Sequence, residues 1–214
     1  MHQEKPKQVA IIVAHPDDET LWAGGTILSN PSWQCFVVCL CRKSDKDRAP
    51  KFFKALGILG ARGAMGDLND GPEQVPLQDN EIMETILQLL PNVHFDLIIT
   101  HNPNGEYTRH FRHEEVSNAV INLWAEGKIV TNELWTFAYE DGDKAYLPKA
   151  DIHATCYRLL PQNVWDLKYS IITLTYGFEE SSWEAKTTPS EEAFWHFSNP
   201  VAAKQWLAKK EILS

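Results

Sequence analysis

Short apolar runs alternate with longer amphipathic segments along the first two thirds of the chain. The runs are too short for helices and lie at 8–14, 35–41, 61–65, 96–100 and 133–139. Unbroken apolar runs of this length are typical of strands that are buried on both faces, as in parallel sheets. Segments with helical spacing lie between them, at 20–28, 50–59, 80–90 and 114–124. This alternation predicts an α/β fold with a doubly wound, mostly parallel sheet of about five or more strands and helices on both faces.

The pattern changes after residue 139. A polar turn at 140–144 is followed by helical patterns at 163–175, 190–197 and 201–210. No linker rich in proline, glycine or serine separates the two parts. Five of the eight tryptophans lie in the second part or at its entrance: Trp135, Trp165, Trp183, Trp195 and Trp206. We therefore predict a single domain, with an α/β core over 1–139 and a helical and loop extension over 140–214 packed on it.

The composition excludes several classes of protein. The chain has 214 residues, 43% of them hydrophobic and 23% charged, which is typical of a single globular domain. The formal net charge of -9 opposes binding to a phosphate backbone, so nucleic acid is not an expected partner. The sequence contains no apolar run of the roughly 18–20 residues that cross a bilayer, and residues 1–7 are polar. These features predict a cytoplasmic protein without a membrane span.

The four cysteines are expected to be reduced. Cys35, Cys39 and Cys41 belong to one apolar run, where they share a face of the predicted strand, and Cys156 lies far along the chain. Ligands spaced along a single strand cannot converge on one tetrahedral ion, so buried thiols are the better interpretation.

Chemically reactive side chains follow the first and fourth predicted strands. His15 and three carboxylates occupy positions 15–19, and the second loop contains His101, His110 and His113. The carboxyl ends of parallel strands meet at one edge of a sheet, so four to six potential metal ligands would converge there. Each loop also has a simpler interpretation, because acidic residues stabilise helix N-termini and loop histidines are often only solvated.

The ligand types narrow the choice of ion. Imidazole nitrogen and carboxylate oxygen without thiolate suit Zn²⁺, or a harder first-row metal such as Fe²⁺, manganese or cobalt. Three protein ligands with an open position make a catalytic site, in which the ion lowers the pKa of a bound water to about 7. A carboxylate beside that water would serve as general base, and a neighbouring histidine would stabilise an oxyanion. These parts are sufficient for metal-assisted hydrolysis of an amide.

The same residues carry a family resemblance. The first loop reads Ala-His-Pro-Asp-Asp-Glu at 14–19 with Gly24-Gly25 behind it, and the second reads Thr-His-Asn-Pro-Asn-Gly-Glu-Tyr at 100–107 and His-Phe-Arg-His at 110–113. Over roughly the first 120 residues the chain resembles the PIG-L (LmbE-like) family of zinc-dependent N-acetylglucosaminyl deacetylases, whose fold is Rossmann-like.

The resemblance implies a role for each residue of the two loops. It implies His15, Asp18 and His113 as metal ligands and Asp17 as general base. Asp17 would take a proton from the attacking water and return it to the leaving amine, while a protonated His110 stabilises the oxyanion. Zn²⁺ is the implied cofactor, with Fe²⁺ as an alternative, and Glu19 would orient its neighbours.

The chain departs from the common family pattern before the last histidine pair. Arg109 is an added residue, which would be solvated or would contact an acidic group of the substrate. The aspartate that many members have between the paired histidines is replaced by Phe111-Arg112, so its role would fall to Glu114, to Glu106 or to no residue.

Several residues are candidates for substrate contacts. By resemblance, Arg48 would contact a sugar hydroxyl; otherwise it would pair with a neighbouring aspartate. Either Asp67 or Asp70 would bind hydroxyls, and the sequence does not decide between them. Tyr107 and Trp22 would stack on a sugar or pack in the interior. Loops at 139–149 and 179–188 are expected to recognise the group attached to the sugar.

Together these observations predict a metal-dependent hydrolase. Its expected partner is a small-molecule N-acetylglucosaminyl-type amino-sugar conjugate, from which it would release acetate. The alternatives are a metal-dependent amidase or deacylase that acts on a non-sugar or glycopeptide-like amide, and a non-catalytic carbohydrate-binding protein of the same fold. A homo-oligomer is left open.

Overall fold

The apolar runs of the first two thirds form parallel strands, as predicted. The computed structural model describes residues 5–73 and 75–211. The parallel strands are β1 (Gln8–Val13), β2 (Gln34–Cys41), β3 (Arg62–Leu68), β4 (Leu97–Thr100) and β5 (Leu134–Phe137). The helices between them are α1 (Asp18–Leu28), α2 (Arg48–Leu59), α3 (Asp79–Leu89) and α4 (Phe111–Ala125).

The C-terminal part extends the same sheet. Its strands are β6 (Tyr139–Glu140), β7 (Lys149–Ala150), β8 (Cys156–Leu159) and β9 (Glu191–Phe197). Its helices are α5 (Gln162–Ser170), continued by a π-helical turn over Ile171–Thr175, then α6 (Trp183–Thr187) and α7 (Pro200–Glu211). Strand β9 pairs antiparallel with β5 and with β8, whereas β6 and β7 form a separate two-stranded ribbon.

The prediction of a helix at 190–197 is wrong, because this segment is β9. Its first residues, Glu191, Glu192 and Ala193, have no strong strand propensity, but the segment pairs with the otherwise open edge of β5. Glu192 is fully buried there because Lys168 neutralises it at 2.8 Å. Tertiary pairing therefore overrides the local preference. The helices expected at 163–175 and 201–210 are present.

The order of the strands creates a crevice at the centre of the sheet. The seven-stranded sheet runs β3-β2-β1-β4-β5-β9-β8, so the chain leaves β1 towards one side and β4 towards the other. Ligands of doubly wound sheets bind beyond the carboxyl ends of the strands at such a switch point. The loops after β1 and β4 border this crevice, where the sequence places its reactive residues.

Helices cover both faces of the sheet, and successive side chains of β1 point to opposite faces. Val9, Ile11 and Val13 are fully buried against α1 and α2 on one face. Ala10 and Ile12 are equally buried on the other, against α3, α4 and α7. The four cysteines are free thiols, and Cys35, Cys39 and Cys41 are buried. Within the described residues, no helix has the length and the apolar character required to cross a membrane.

A buried ion pair ties α1 to the C-terminal part. Glu192 accepts hydrogen bonds from the amides of Gly25 and Thr26, at 2.8 and 2.6 Å, and from the Thr26 hydroxyl at 2.6 Å. Lys168 donates to the same carboxylate and to the Pro189 carbonyl. Residues beyond 139 thus hold the helix whose N-terminus faces the crevice.

Candidate metal centre and active-site cleft

The three predicted metal ligands converge at the crevice. His15 and Asp18 follow β1, and His113 lies in the first turn of α4. His15 Nδ1 lies 3.2 Å from His113 Nε2 and 3.2 Å from Asp18 Oδ2. His113 Nε2 and Asp18 Oδ2 are 3.4 Å apart. These three atoms form a nearly equilateral triangle.

The triangle has the dimensions of a zinc site. Zinc bonds of about 2.0–2.1 Å in a tetrahedron place neighbouring ligand atoms about 3.3–3.4 Å apart. The three observed separations of 3.2–3.4 Å are close to that value. Two imidazole nitrogens and one carboxylate oxygen also form a ligand set that catalytic zinc commonly uses, so these residues fit a divalent ion.

Each histidine of the triangle is oriented by a carboxylate on its other nitrogen. His15 Nε2 lies 3.1 Å from Asp70 Oδ1, and His113 Nδ1 lies 2.5 Å from Glu106 Oε2. An N–H donated to each carboxylate leaves the opposite nitrogen unprotonated and directed into the triangle, an arrangement typical of metal-binding histidines. Burial alone would raise the pKa of both carboxyl groups, but their contacts with the histidines outweigh it, so the pKa of Asp70 is lowered and that of Glu106 falls to about 2.

Asp18 is held by contacts on both of its oxygens. Trp22 is fully buried and donates from Nε1 to Asp18 Oδ1 at 3.1 Å, so it packs in the interior. The His15 amide donates to Oδ2 at 2.8 Å. Although burial favours the neutral acid, the nearby His113 and His101 hold the pKa of Asp18 well below its usual range.

His101 lies behind the triangle. Its Nε2 accepts the Ala14 amide at 3.0 Å and its Nδ1 lies 2.9 Å from Glu106. Asp18, His101 and His113 form a second group with ligand atoms within 4.8 Å of one another, as do His15, His110 and His113. We favour the first triangle because the Ala14 amide occupies the His101 nitrogen that faces Asp18.

Asp17 stands beside the triangle in a strained conformation. It is the N-cap of α1 with φ 119°, a value that residues other than glycine rarely adopt. Glu19 Oε2 accepts its amide at 3.1 Å, and Arg48 donates to its carboxylate at 2.8 Å. Burial, assisted by the neighbouring Asp18 charge, raises the pKa of Asp17 to about 8.

Glu19 stabilises the backbone conformation of Asp17 from the interior of the protein. It is fully buried, and its other oxygen accepts the Thr20 hydroxyl at 2.6 Å and the Tyr176 hydroxyl at 2.7 Å. All of its contacts are to the protein interior, which agrees with the orienting role expected for it.

The surroundings of His110 oppose the protonated ring that the resemblance implies. Burial lowers its pKa to about 3, assisted by the charges of His113 and His15. Its Nδ1 is buried and has no hydrogen-bond partner among the described residues. The expected aspartate is replaced by Arg112, whose buried side chain pairs with Glu115 and the Val75 carbonyl. Among the described residues no carboxylate accepts a hydrogen bond from His110, and the charges of Asp18 and Asp70 only partly offset the effect of burial.

A cleft of about 430 Å³ opens beside the ligand triangle. Tyr107 forms one wall, with its ring 5.4 Å from that of His113 and 4.8 Å from that of Trp183. The lining residues are His15, Pro16, Asp17, Asp18, Leu21, Arg42, Asp45, Asp47, Arg48, Asp70, Tyr107, His110, Trp183 and Glu184. Its volume lies within the range of small-molecule sites.

Only some of the residues predicted to contact substrate line the cleft. Arg48, Asp70 and Tyr107 line the cleft. Asp67 does not, because its carboxylate accepts the amide and hydroxyl of Ser44 on the exterior. Arg109 also lies outside, in a two-bond pair with Glu114 at 2.8 and 2.6 Å. Of the two aspartates that the sequence could not separate, Asp70 belongs to the cleft.

Seven cleft residues were not among the predicted site residues: Pro16, Leu21, Arg42, Asp45, Asp47, Trp183 and Glu184. Arg42 pairs with Asp70, while Trp183 and Glu184 belong to the short helix α6. The sequence marked only the surrounding loop, 179–188, as a recognition segment. The composition of this loop does not indicate which of its side chains line the cleft, because that depends on how α6 packs.

Comparison with known proteins gives one family and one fold. The family model described as PIG-L, GlcNAc-PI de-N-acetylase, matches residues 10–124, just over half of the chain. An uncharacterized protein of Acanthamoeba polyphaga mimivirus is 24% identical over 146 residues, which are 61% of this chain and 61% of that protein. The chain thus spans less than two thirds of that relative.

Several solved structures share the fold. The N,N'-diacetylchitobiose deacetylase of Pyrococcus horikoshii superposes with a TM-score of 0.67 at 16% identity, over 91% of this chain and 86% of that one. The 4-carboxy-2-hydroxymuconate hydratase of Pseudomonas putida gives 0.62 at 18%, over 89% and 95%. A zinc-inhibited form of teicoplanin deacetylase gives 0.58 at 12%, over 89% and 97%. Since both hydratase and deacetylases have this fold, the fold alone does not decide the reaction.

Proposed function

Because the chain belongs to the PIG-L family, we propose that it is a metal-dependent hydrolase that removes the N-acetyl group of an N-acetylglucosaminyl-type conjugate. The observation that carries the proposal is the triangle of His15, Asp18 and His113 with the Asp17 carboxylate beside it. A cytoplasmic location remains a prediction.

The triangle would hold the ion through His15 Nδ1, Asp18 Oδ2 and His113 Nε2. Zn²⁺ suits this donor set best, and Fe²⁺ is compatible with it. When bound there, the ion supplies a Lewis acid that lowers the pKa of a water and polarises the acetyl carbonyl. Asp70 and Glu106 keep the two imidazoles in the tautomers that this requires.

Asp17 would transfer a proton from the attacking water to the leaving amine. Its carboxylate accepts a proton from the attacking water and then delivers it to the amine nitrogen as the amide bond breaks. The oxygen of the water forms the new bond to the acetyl carbon, so the products are acetate and a free amine. Burial raises the pKa of Asp17 towards neutrality, while Arg48 acts in the opposite direction. A group that must accept and return one proton works best when its pKa lies near the working pH.

His110 would stabilise the developing negative charge on the acetyl oxygen as a neutral hydrogen-bond donor. A neutral imidazole carries one N–H, which is sufficient for this role, and a pKa lowered to about 3 keeps the ring in this neutral form near neutral pH. Tyr107, on the same wall of the cleft, has its pKa raised by burial and stays a hydroxyl donor.

The proposal is tested by metal content and acetate release. The purified protein should contain close to one equivalent of zinc or iron, measured by elemental analysis. It should release acetate from at least one of a panel of N-acetylglucosaminides, and a chelator should abolish that release. A non-sugar N-acetyl amide belongs in the same panel, because hydrolysis of this compound alone would replace the amino-sugar assignment with an amidase.

Variants assign the metal to the triangle. His15→Ala, Asp18→Ala and His113→Ala should each deplete bound metal, since each removes one of three protein ligands. His153→Ala is the matched control, because His153 is exposed and outside the cleft. Full metal content in all three ligand variants would contradict the site.

A further inference from the structure

Asp70 reaches His15 across an intervening strand. It follows β3, whereas His15 follows β1, and β2 lies between these two strands in the sheet. Two strand spacings amount to about 10 Å, so the aim of the Asp70 carboxylate depends on how the loop after β3 is held. Asn69, Pro72 and Glu73 of this loop are exposed. Packing of the loop itself therefore does little to direct Asp70 towards His15.

Arg42 holds Asp70 from the strand in between. It is the first residue after β2, and its Nε donates to Asp70 Oδ2 at 2.8 Å. Its Nη2 lies 2.6 Å from the same oxygen and donates to the Asp70 carbonyl at 3.3 Å. The other carboxylate oxygen, Oδ1, is thereby left to His15 Nε2 at 3.1 Å. One guanidinium group thus fixes both the side chain and the main chain of Asp70, because its donors form a rigid planar fork.

The backbone of Arg42 lies in the left-handed region. Its φ is 69°, and the Asp45 amide donates to its carbonyl at 3.1 Å in the turn that follows. A glycine would make this turn without steric cost, whereas a residue with a Cβ is strained there. Strained residues of this kind are concentrated at functional sites. The contacts with Asp70 are what the arginine side chain adds at this turn.

Resting on the proposed metal centre, we propose that Arg42 is a positioning residue of that centre and acts on His15 through Asp70. It keeps Asp70 Oδ1 on His15 Nε2, so that His15 Nδ1 remains the unprotonated nitrogen that faces the ion. Among the described residues, the side chain of Arg42 contacts Asp70 and Asp45 and none of the three metal ligands. Its effect on the metal is therefore indirect.

The sign of the effect separates positioning from charge. Arg42 places a positive charge near a cation site, so if only this charge mattered, its removal would strengthen metal binding. Loss of its hold on Asp70 acts the other way, because the ligand tautomer of His15 is then no longer enforced. We therefore expect Arg42→Gly to weaken Zn²⁺ binding about tenfold, measured by competition with a chromophoric chelator. The thermal midpoint of the metal-free variant should stay close to that of the wild type, since glycine suits this φ value.

A double-mutant cycle tests the path of the effect. If Arg42 acts through Asp70, Arg42→Gly should not weaken Zn²⁺ binding further in a protein that already carries Asp70→Asn. Arg42→Lys keeps the charge and a single donor group, so it should recover part of the affinity. Lys43→Ala is the matched control, because it removes the same charge from the next residue, which is exposed and outside the cleft. This control should leave Zn²⁺ affinity within about twofold of the wild type.

Unchanged or tighter Zn²⁺ binding by Arg42→Gly would overturn the positioning role. Equal losses in the wild-type and Asp70→Asn backgrounds would overturn it as well, since the effect would then not pass through Asp70. A raised KM with unchanged Zn²⁺ affinity would make Arg42 a substrate-binding residue instead. Absence of Zn²⁺ binding by the wild-type protein is a separate outcome, which would overturn the proposed metal centre and this inference with it.

Discussion

At the level of single residues, the proposed chemistry depends on which ring nitrogen of each histidine carries a proton. Asp70 faces His15 Nε2, and Glu106 faces His113 Nδ1, so the two remaining ring nitrogens are 3.2 Å apart and face the same point. Two carboxylates from different loops therefore set the tautomers of two ligands.

Removing either carboxylate charge should weaken metal binding. Asp70→Asn and Glu106→Gln keep the shape of the side chain but no longer enforce the tautomer, and we expect metal affinity to fall about 10- to 100-fold. Competition with a chromophoric chelator measures this directly. Asp67→Asn is the control, because Asp67 contacts Ser44 and not a ligand. If Asp67→Asn and Asp70→Asn had equal effects, the orienting role of Asp70 would be refuted.

Asp17 should matter for turnover and not for metal content. Asp17→Asn cannot accept a proton from water, so we expect kcat to fall about 100-fold or more while bound metal stays at the wild-type level. Elemental analysis and acetate release on the same preparation separate the two effects. Loss of metal in this variant would make Asp17 a ligand, and unchanged turnover would remove it from the mechanism.

At the level of elements, the sequence predicted what local pattern determines and missed what distant contacts determine. Strands β1, β2, β4 and β5 are apolar runs because they are buried on both faces, and their pattern shows this without a structure. Strand β9 was mistaken for a helix because the burial of Glu192 depends on distant partners, Lys168 and the α1 residues Gly25 and Thr26. The ligand loops were predictable from position and residue type. The Arg48–Asp17 pair and the return of Glu184 to the cleft were not, because they depend on packing.

The anchoring of α1 gives a prediction about stability. Glu192→Gln leaves the Lys168 ammonium buried without its counter-charge and weakens the contacts to Gly25 and Thr26, so we expect a loss of about 3–5 kcal/mol in the free energy of unfolding. Urea denaturation followed by circular dichroism measures it. Glu191→Gln is the control on the same strand, since Glu191 is only partly buried and accepts from Ser190. A change below about 1 kcal/mol in Glu192→Gln would show that the pair does not hold the helix.

At the level of the whole molecule, the site is assembled from both parts of the chain. The metal ligands come from the loops after β1 and β4, whereas Trp183 and Glu184 come from α6. The core beneath α1 is also shared, since Ile171, Tyr176 and Phe194 are buried in the same cluster as Leu21 and Trp22. This interdependence argues for one cooperative unit, in which the extension completes the cleft and the core together.

A chain that ends at residue 139 tests that argument. It would keep all three ligands but expose the edge of β5 and the apolar face of α1, which β9 and the π-helical turn cover in the full chain. Because an uncovered edge strand and an exposed core face favour aggregation, we expect this fragment to lack a cooperative thermal transition and to bind less than stoichiometric metal. Scanning calorimetry and elemental analysis of the fragment and the full chain provide the comparison. Should the fragment fold cooperatively and bind one equivalent of metal, residues 1–139 would be an independent domain and the extension would serve substrate selection alone.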